Sequence, residues 1–438
     1  MTRIFAFIAF LIAPLAAQAE VKIQEVTSPG GITAWLVEEP SIPFTALEIS
    51  FRGGASLDAP GKRGAINLMT GLLEEGAADL DARGFAKAVE ALAASFSYDV
   101  GDDSLTVSAR FLSENRDAAV ALLRTSVLEP SFDQDALDRV RDQVLSGLRS
   151  DATNPNEIAR KTFDAQIYGD HPYGSPREGS LESVAALTRD DMFAAHRAIF
   201  AKDRVFVGAA GDITPEALGL LLDTLLGGLP ETGAPMPPQI TPEFDGGLRV
   251  VDFETPQSVA IFGQRGIQQD DPDFFAARIL NQVLGAGGFE SRLMTEVREK
   301  RGLTYGVSSF ILPLDLAASY QGQVASANDR IGEAIAVIKD EWAKAADVGI
   351  SAEELDAAKT YITGAYPLRF DGNGRIAGIL VGMQMLGLPI DYIPTRNDKV
   401  NAVTLEDVNR VARDLLDPAQ LSFVVVGQPE GVETTVSQ

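Results

Sequence analysis

The chain has 438 residues, 45% of them hydrophobic and 23% charged, which is more than one ordinary core holds and too apolar for disorder. A formal net charge of −25 excludes nucleic-acid binding, which needs clustered Lys and Arg, and disfavours anionic membrane surfaces. The chain has no cysteine, which excludes disulfides, a thiol nucleophile and thiolate metal ligands, so burial alone must hold the fold.

The first predicted element is a signal peptide over residues 1–19. Arg3 gives a positive start, Ile4 to Ala16 is apolar, and Ala17-Gln18-Ala19 is a small-x-small cleavage site before Glu20. A membrane span needs roughly 20 apolar residues, so the run is too short to anchor the chain. The later apolar segment Ile379 to Leu386 is shorter still and contains Gln384. The expectation is an exported protein, periplasmic in location, with no membrane span after cleavage.

Further on, Leu47 to Phe51 and Ser104 to Phe111 alternate as half-buried strands do. The apolar spacing predicts helices over Phe85 to Ala94, Asp133 to Leu145 and Ala352 to Ile362. Thr188 and Thr404 are N-cap candidates, each with acidic residues in the turn that follows. They belong to an internal repeat. The segment starting at Ala186 resembles that starting at Ala402, and the strand ending at Gly211 resembles that ending at Gly427; both pairs are 216 residues apart. Phe51-Arg52-Gly53-Gly54 likewise mirrors Gly263-Gln264-Arg265-Gly266. The chain therefore divides into homologous halves over 20–232 and 243–438, joined by a proline-rich linker over 233–242. Strands and helices mix within each half, so the expected class is α+β, as two α/β sandwiches.

The chemistry-bearing residues are few. His171 and His196 are the only histidines, one in a turn and one in a helix, without the i, i+4 spacing of a metal pair. Glu74 and Glu75 are adjacent and point about 100° apart on a helix, so they do not converge as an acid–base pair. Gly287 and Gly288 suit a tight turn, but no Lys-Ser/Thr follows them as in a phosphate loop. Arg298 and Tyr305, seven residues apart, sit beyond that turn.

The order of elements, the duplication and the segment Gly285 to Val307 together resemble the pitrilysin-like metallopeptidases, over nearly the whole chain after the signal segment. The resemblance implies a mostly antiparallel sheet in each half with helices on one face. It also implies an inverted zinc motif, H-x-x-E-H, on the first helix of the N-terminal half. The matching helix begins at Gly64-Ala65-Ile66 and ends near Glu74-Glu75-Gly76. Asn67 and Gly71 occupy the histidine positions and Thr70 the general-base position. The distal glutamate would fall at Ser146 to Leu148, where no carboxylate stands. By the resemblance this chain has no metal site or cofactor of its own.

Arg298 and Tyr305 match the arginine–tyrosine pair of the family's C-terminal half, with Gly287, Gly288, Ser291 and Arg292 around it as substrate-binding candidates. A tyrosine hydroxyl donates to the oxygen of a tetrahedral intermediate, and a guanidinium holds a peptide carbonyl or carboxylate. What the resemblance implies is a zinc-less subunit of a heterodimeric peptidase. Its partner would be a homologous subunit bearing zinc, its substrates peptides, and its pair would act in trans. A catalytically inert scaffold and a peptide-binding homodimer are the other readings.

Overall fold

The structure, a computed structural model, describes residues 22–436, so the predicted signal segment lies outside the described residues. The first half opens with strands β1 (Gln24–Thr27), β2 (Thr33–Glu38) and β3 (Phe44–Arg52). Helix α1 (Ala65–Thr70) follows, then the short hairpin β4 (Gly76–Ala77) and β5 (Leu80–Asp81), and α2 (Ala82–Ala91). The hairpin β6 (Ser95–Val100) and β7 (Ser104–Leu112) leads into α3 (Arg116–Leu128), α4 (Gln134–Asp151) and α5 (Pro155–Tyr168). Helices α6 (Leu181–Ala185) and α7 (Arg189–Ile199), strand β8 (Val205–Gly211) and α8 (Pro215–Leu226) complete it.

The second half runs β9 (Leu248–Asp252), β10 (Gln257–Arg265) and α9 (Phe274–Asn281), then β11 (Val307–Leu314) and β12 (Ala317–Ala327). Helices α10 (Ile331–Val348), α11 (Ala352–Gly364), α12 (Asn373–Met385), α13 (Tyr392–Ala402) and α14 (Leu405–Leu415) precede the last strand, β13 (Ser422–Gly427).

The two main sheets have the same topology. One is ordered β1-β2-β8-β3-β7-β6 and the other β11-β12-β10-β13-β9. Reading the second backwards, β9-β13-β10-β12-β11 superimposes in order on β2-β8-β3-β7-β6. Even the parallel pairs correspond, β2 with β8 and β9 with β13, while the other pairings of each sheet are antiparallel. This gives the α+β sandwich expected from the repeat. Thr188 and Thr404 cap α7 and α14 in matching capping boxes, closed by Asp191 and Asp407.

Each half packs its own helices on one face of its sheet, around Leu47, Ile49 and Phe51 in the first and Phe262, Tyr320 and Phe423 in the second. The second face of each sheet is covered from the other half. Helix α12 lays Ala377, Leu380 and Met383 on Trp35, Val37, Ala46 and Ala210. Helix α5 lays Ala159, Phe163 and Ile167 on Val259, Val424 and Val426. This double cover explains why Phe423 to Val426 is an unbroken apolar run. Phe423 and Val425 face one core and Val424 and Val426 the other. The approach is close enough that a β-carbon at Gly208 would lie 2.3 Å from the Ala377 carbonyl oxygen.

Polar groups clasp the halves together. Arg52 pairs with Asp315 at 3.1 Å, and Gln384 donates to the Val207 carbonyl at 2.8 Å. Asp103 accepts from the Tyr173 hydroxyl and from the Asp315 amide. The segment between α8 and β9 is tied down too. Ala234 N–H donates to Ala198, Ile240 N–H to Leu316 and Glu243 N–H to Ile167.

Substitutions at two glycines and a change of pH probe this packing. Gly208→Ala forces α12 off its sheet and lowers unfolding free energy by about 1–3 kcal/mol in urea titration. Gly147→Ala, at an open helical position where a β-carbon meets nothing within 4 Å, raises it by about 0.5–1 kcal/mol. Burial pushes the carboxyls of Asp103 and Asp164 up to about 6 and about 7. The fold thus favours their protonated forms, and that stability is present below the ordinary aspartate range and lost as pH rises through 6 to 7. Unfolding free energy should increase as pH falls from 8 to 5, by up to about 1.4 kcal/mol per pH unit for each group. Asp164→Asn should flatten the profile.

Candidate functional site

Helix α1 is where the zinc motif would stand. It starts at Gly64, whose φ of 94° is left-handed, and Asp58 fixes that start by accepting from the Gly64 and Ile66 amides, both at 2.8 Å. The helix stops at Thr70, well short of the predicted end near Glu74 to Gly76, with Gly71 as its C-cap and single turns beyond.

The side chains there do not fit a metal. Thr70 is 4% exposed, and its hydroxyl donates to the Ile66 carbonyl at 2.7 Å. A β-carbon at Gly71 would lie 3.2 Å from a Val140 methyl of α4, a tight contact that the valine side chain would have to yield to. Asn67 is half-buried and carries neither imidazole nor carboxylate. Ser146 and Gly147 of α4 are exposed. Among the described residues no group of three or more His, Cys, Asp and Glu side chains is placed to hold a metal ion.

The two histidines are spent structurally. His196 donates to the Val127 carbonyl at 2.7 Å and stacks on Phe200, and burial pulls its pKa below the ordinary value. His171 accepts from the Tyr173 amide and packs edge-on against that ring. Glu75 pairs with Arg139, while Glu74 is exposed.

The glycine-rich segment of the second half is built differently. After α9 the chain makes a π-helical turn over Gln282–Ala286, and a second over Met294–Glu299. Between them Gly288 has φ 57°, and a β-carbon at Gly287 would lie 2.6 Å from the Gln282 carbonyl, so the turn needs both glycines. Ser291 is fully buried, accepts from the Met294 amide at 3.4 Å and donates to the Gly288 carbonyl at 2.9 Å.

Arg292 is also committed inward. Nε and Nη2 fork onto the two Glu354 oxygens, each at 2.7 Å, and Nη2 reaches the Gly349 carbonyl at 3.0 Å. Burial alone would raise the Glu354 carboxyl, but the Arg292 fork and the Ser351 amide hold it below its ordinary value. Ser291 and Arg292, the substrate-binding candidates, thus have their polar atoms engaged in supporting the loop in this structure.

What the loop presents is Phe289, Arg298 and Tyr305. Phe289 is 62% exposed and Tyr305 86% exposed. The Arg298 guanidinium carbon sits 4.5 Å from the centre of the Phe289 ring, a cation–π contact that aims the charge without an ion pair. The sequence reading missed Phe289 as a participant; an aromatic side chain inside a glycine turn was the available signal.

Residues 34–180 match the profile described as insulinase, peptidase family M16, and residues 186–362 match that of the peptidase M16 inactive domain. The chain belongs to the insulinase, or M16, peptidase family. It is 27% identical over 393 residues to the non-peptidase homolog YmxG of Helicobacter pylori, covering 89% of this chain and 90% of that one. An uncharacterized zinc protease of Streptomyces coelicolor, SCO5738, is 24% identical over 405 residues, covering 90% and 87%. The crystal structure of a peptidase M16 inactive domain from Pseudomonas fluorescens superimposes with a TM-score of 0.87 at 29% identity, covering 95% of this chain and 99% of that one. The relatives' names include both a non-peptidase homolog and an uncharacterized zinc protease, so residues decide. Asn67, Thr70 and Gly71 place this M16 chain among the zinc-less members.

Restoring the base alone should fail structurally. Thr70→Glu buries a carboxylate with no partner and should cost about 3 kcal/mol, read from urea midpoints. Thr70→Val should stay within about 1 kcal/mol.

Proposed function

We propose that this chain is the zinc-less subunit of an exported heterodimeric metallopeptidase, contributing Arg298 and Tyr305 to peptide hydrolysis in trans. One contrast carries the reading. The N-terminal motif positions carry no metal-binding group, with Thr70 buried and bonded back onto its own helix, whereas Arg298 rests half-buried on Phe289 and Tyr305 beyond it is 86% exposed. A homologous subunit bearing the H-x-x-E-H motif supplies the metal.

The part played by this chain is electrostatic. The Tyr305 hydroxyl donates a hydrogen bond to the scissile carbonyl oxygen as negative charge builds there. The Arg298 guanidinium, resting on Phe289, holds a second carbonyl or a carboxylate of the peptide with its forked donors. Tyr305 lies two residues before β11, whose recorded ladder is with β12. An extended peptide adding to the free side of β11 therefore runs past the tyrosine.

The test mixes the purified chain with its zinc-bearing partner and follows cleavage of an extended peptide. Tyr305→Phe should lower turnover about 10²–10³-fold with thermal stability unchanged. Equal turnover for the two proteins would reject the role and favour the scaffold reading.

A further inference from the structure

Four arginines of the second half converge on one cavity of about 580 Å³, far in sequence from the zinc-motif helix. Arg278 of α9, Arg369 of the turn after α11, Arg375 of α12 and Arg396 of α13 all line it. No Asp or Glu lines it, although the chain carries 62 acidic residues against 37 basic ones. Among the described residues, no carboxylate lies within ion-pairing distance of any of the four, whereas Arg410 on the neighbouring helix α14 pairs with Asp273 at 2.6 Å.

Arg396 is the strongest observation. It is only 4% exposed, and its Nη1 donates to the Ile362 carbonyl and the Asn397 side chain. Its guanidinium stacks on the Tyr366 ring at 4.5 Å and lies 5.9 Å from that of Phe275. A buried guanidinium without an anion is costly. Burial, and then the Arg278 charge, pull Arg396 below its ordinary pKa, as expected of like charges gathered without a counter-ion.

The rest of the wall is apolar, with Phe275, Ile379, Met383 and Leu388. Helix α12 contributes Gly382, where a β-carbon would meet nothing within 4 Å, so the cavity is open at that point. Its volume suits a small organic molecule.

We propose that this cavity binds a small amphipathic anion, an apolar body carrying a dianionic phosphate or paired-carboxylate headgroup. The apolar wall takes the body, and the guanidinium forks take the headgroup in bidentate geometry.

Calorimetric titration of the full chain tests this with 1-naphthyl phosphate as probe and inorganic phosphate, 1-naphthol and a naphthalene dicarboxylate as comparators. One-to-one binding of a naphthyl dianion is expected, with inorganic phosphate and 1-naphthol each at least about tenfold weaker. The tighter of the two dianions names the headgroup. Arg369→Ala and Arg375→Ala, both at exposed side chains, should each weaken binding about tenfold. Gly382→Leu fills the cavity from a helical position and should abolish binding while circular dichroism and the melting transition confirm the fold. No saturable binding of either dianion would overturn the proposal. So would equal affinity for inorganic phosphate, or an unchanged affinity in the Arg369→Ala, Arg375→Ala double variant. None of these readouts needs peptidase activity or a partner, so the result stands or falls apart from the proposed catalytic role.

Discussion

The exchange of α5 and α12 between the halves is the contact on which the rest of the structure depends. A sheet buried on both faces needs two apolar covers, and each half supplies only one for itself. Ala377, Leu380 and Met383 close the first sheet, and Ala159, Phe163 and Ile167 close the second. Neither half would bury its second face alone, so the halves stabilise each other reciprocally. The clasp of Asp103, Tyr173 and Asp315 then fixes their relative placement with directional bonds, at the cost of desolvating carboxylates.

That mutual dependence separates fold from chemistry. The first helix of the N-terminal half can lose every metal-binding group and still fold, because its stability comes from Asp58 at its start and from Ile66, Leu68 and Met69 in the core. Thr70 bonds back onto α1 itself, and Gly71 lies beside Val140 of α4. In the second half the same logic works the other way. Ser291, Arg292 and Glu354 are consumed in holding a loop whose outward residues make few bonds within the chain.

Much of the architecture was legible because the repeat carries it. The 216-residue offset located both N-cap threonines and both closing strands. Helix ends were less legible. The helix read over Phe85 to Ala94 runs over Ala82–Ala91, because Asp81 caps it by accepting from the Gly84 amide and Ala93, at φ 48°, turns the chain away. The zinc-motif helix is shorter than the family resemblance implied, ending at Thr70 with Gly71 as its C-cap. What the sequence could not show is long-range. The exchanged helices join elements far apart in the chain, α12 with β2, β3 and β8 and α5 with β10 and β13, and the arginine cavity gathers four elements whose charges look like ordinary surface residues when read singly. Motif spacing likewise cannot tell a presented guanidinium from a committed one, and so Arg292 and Arg298 looked alike until Glu354 was seen to hold the first.

The repeat also explains why the arginine–tyrosine segment stands where it does. In the first half, α1 and α2 connect β3 to β6, an outer strand of its sheet. In the second, α9 and the two π turns connect β10 to β11, which holds the equivalent outer position. The same connection is built differently in the two halves, as the short helix α1 in one and as a glycine turn followed by a half-buried Arg298 and an exposed Tyr305 in the other. The two connections share no side chain and belong to separate cores. The N-terminal segment can therefore lack metal ligands without disturbing the turn that places Arg298 and Tyr305 beside the outer strand β11.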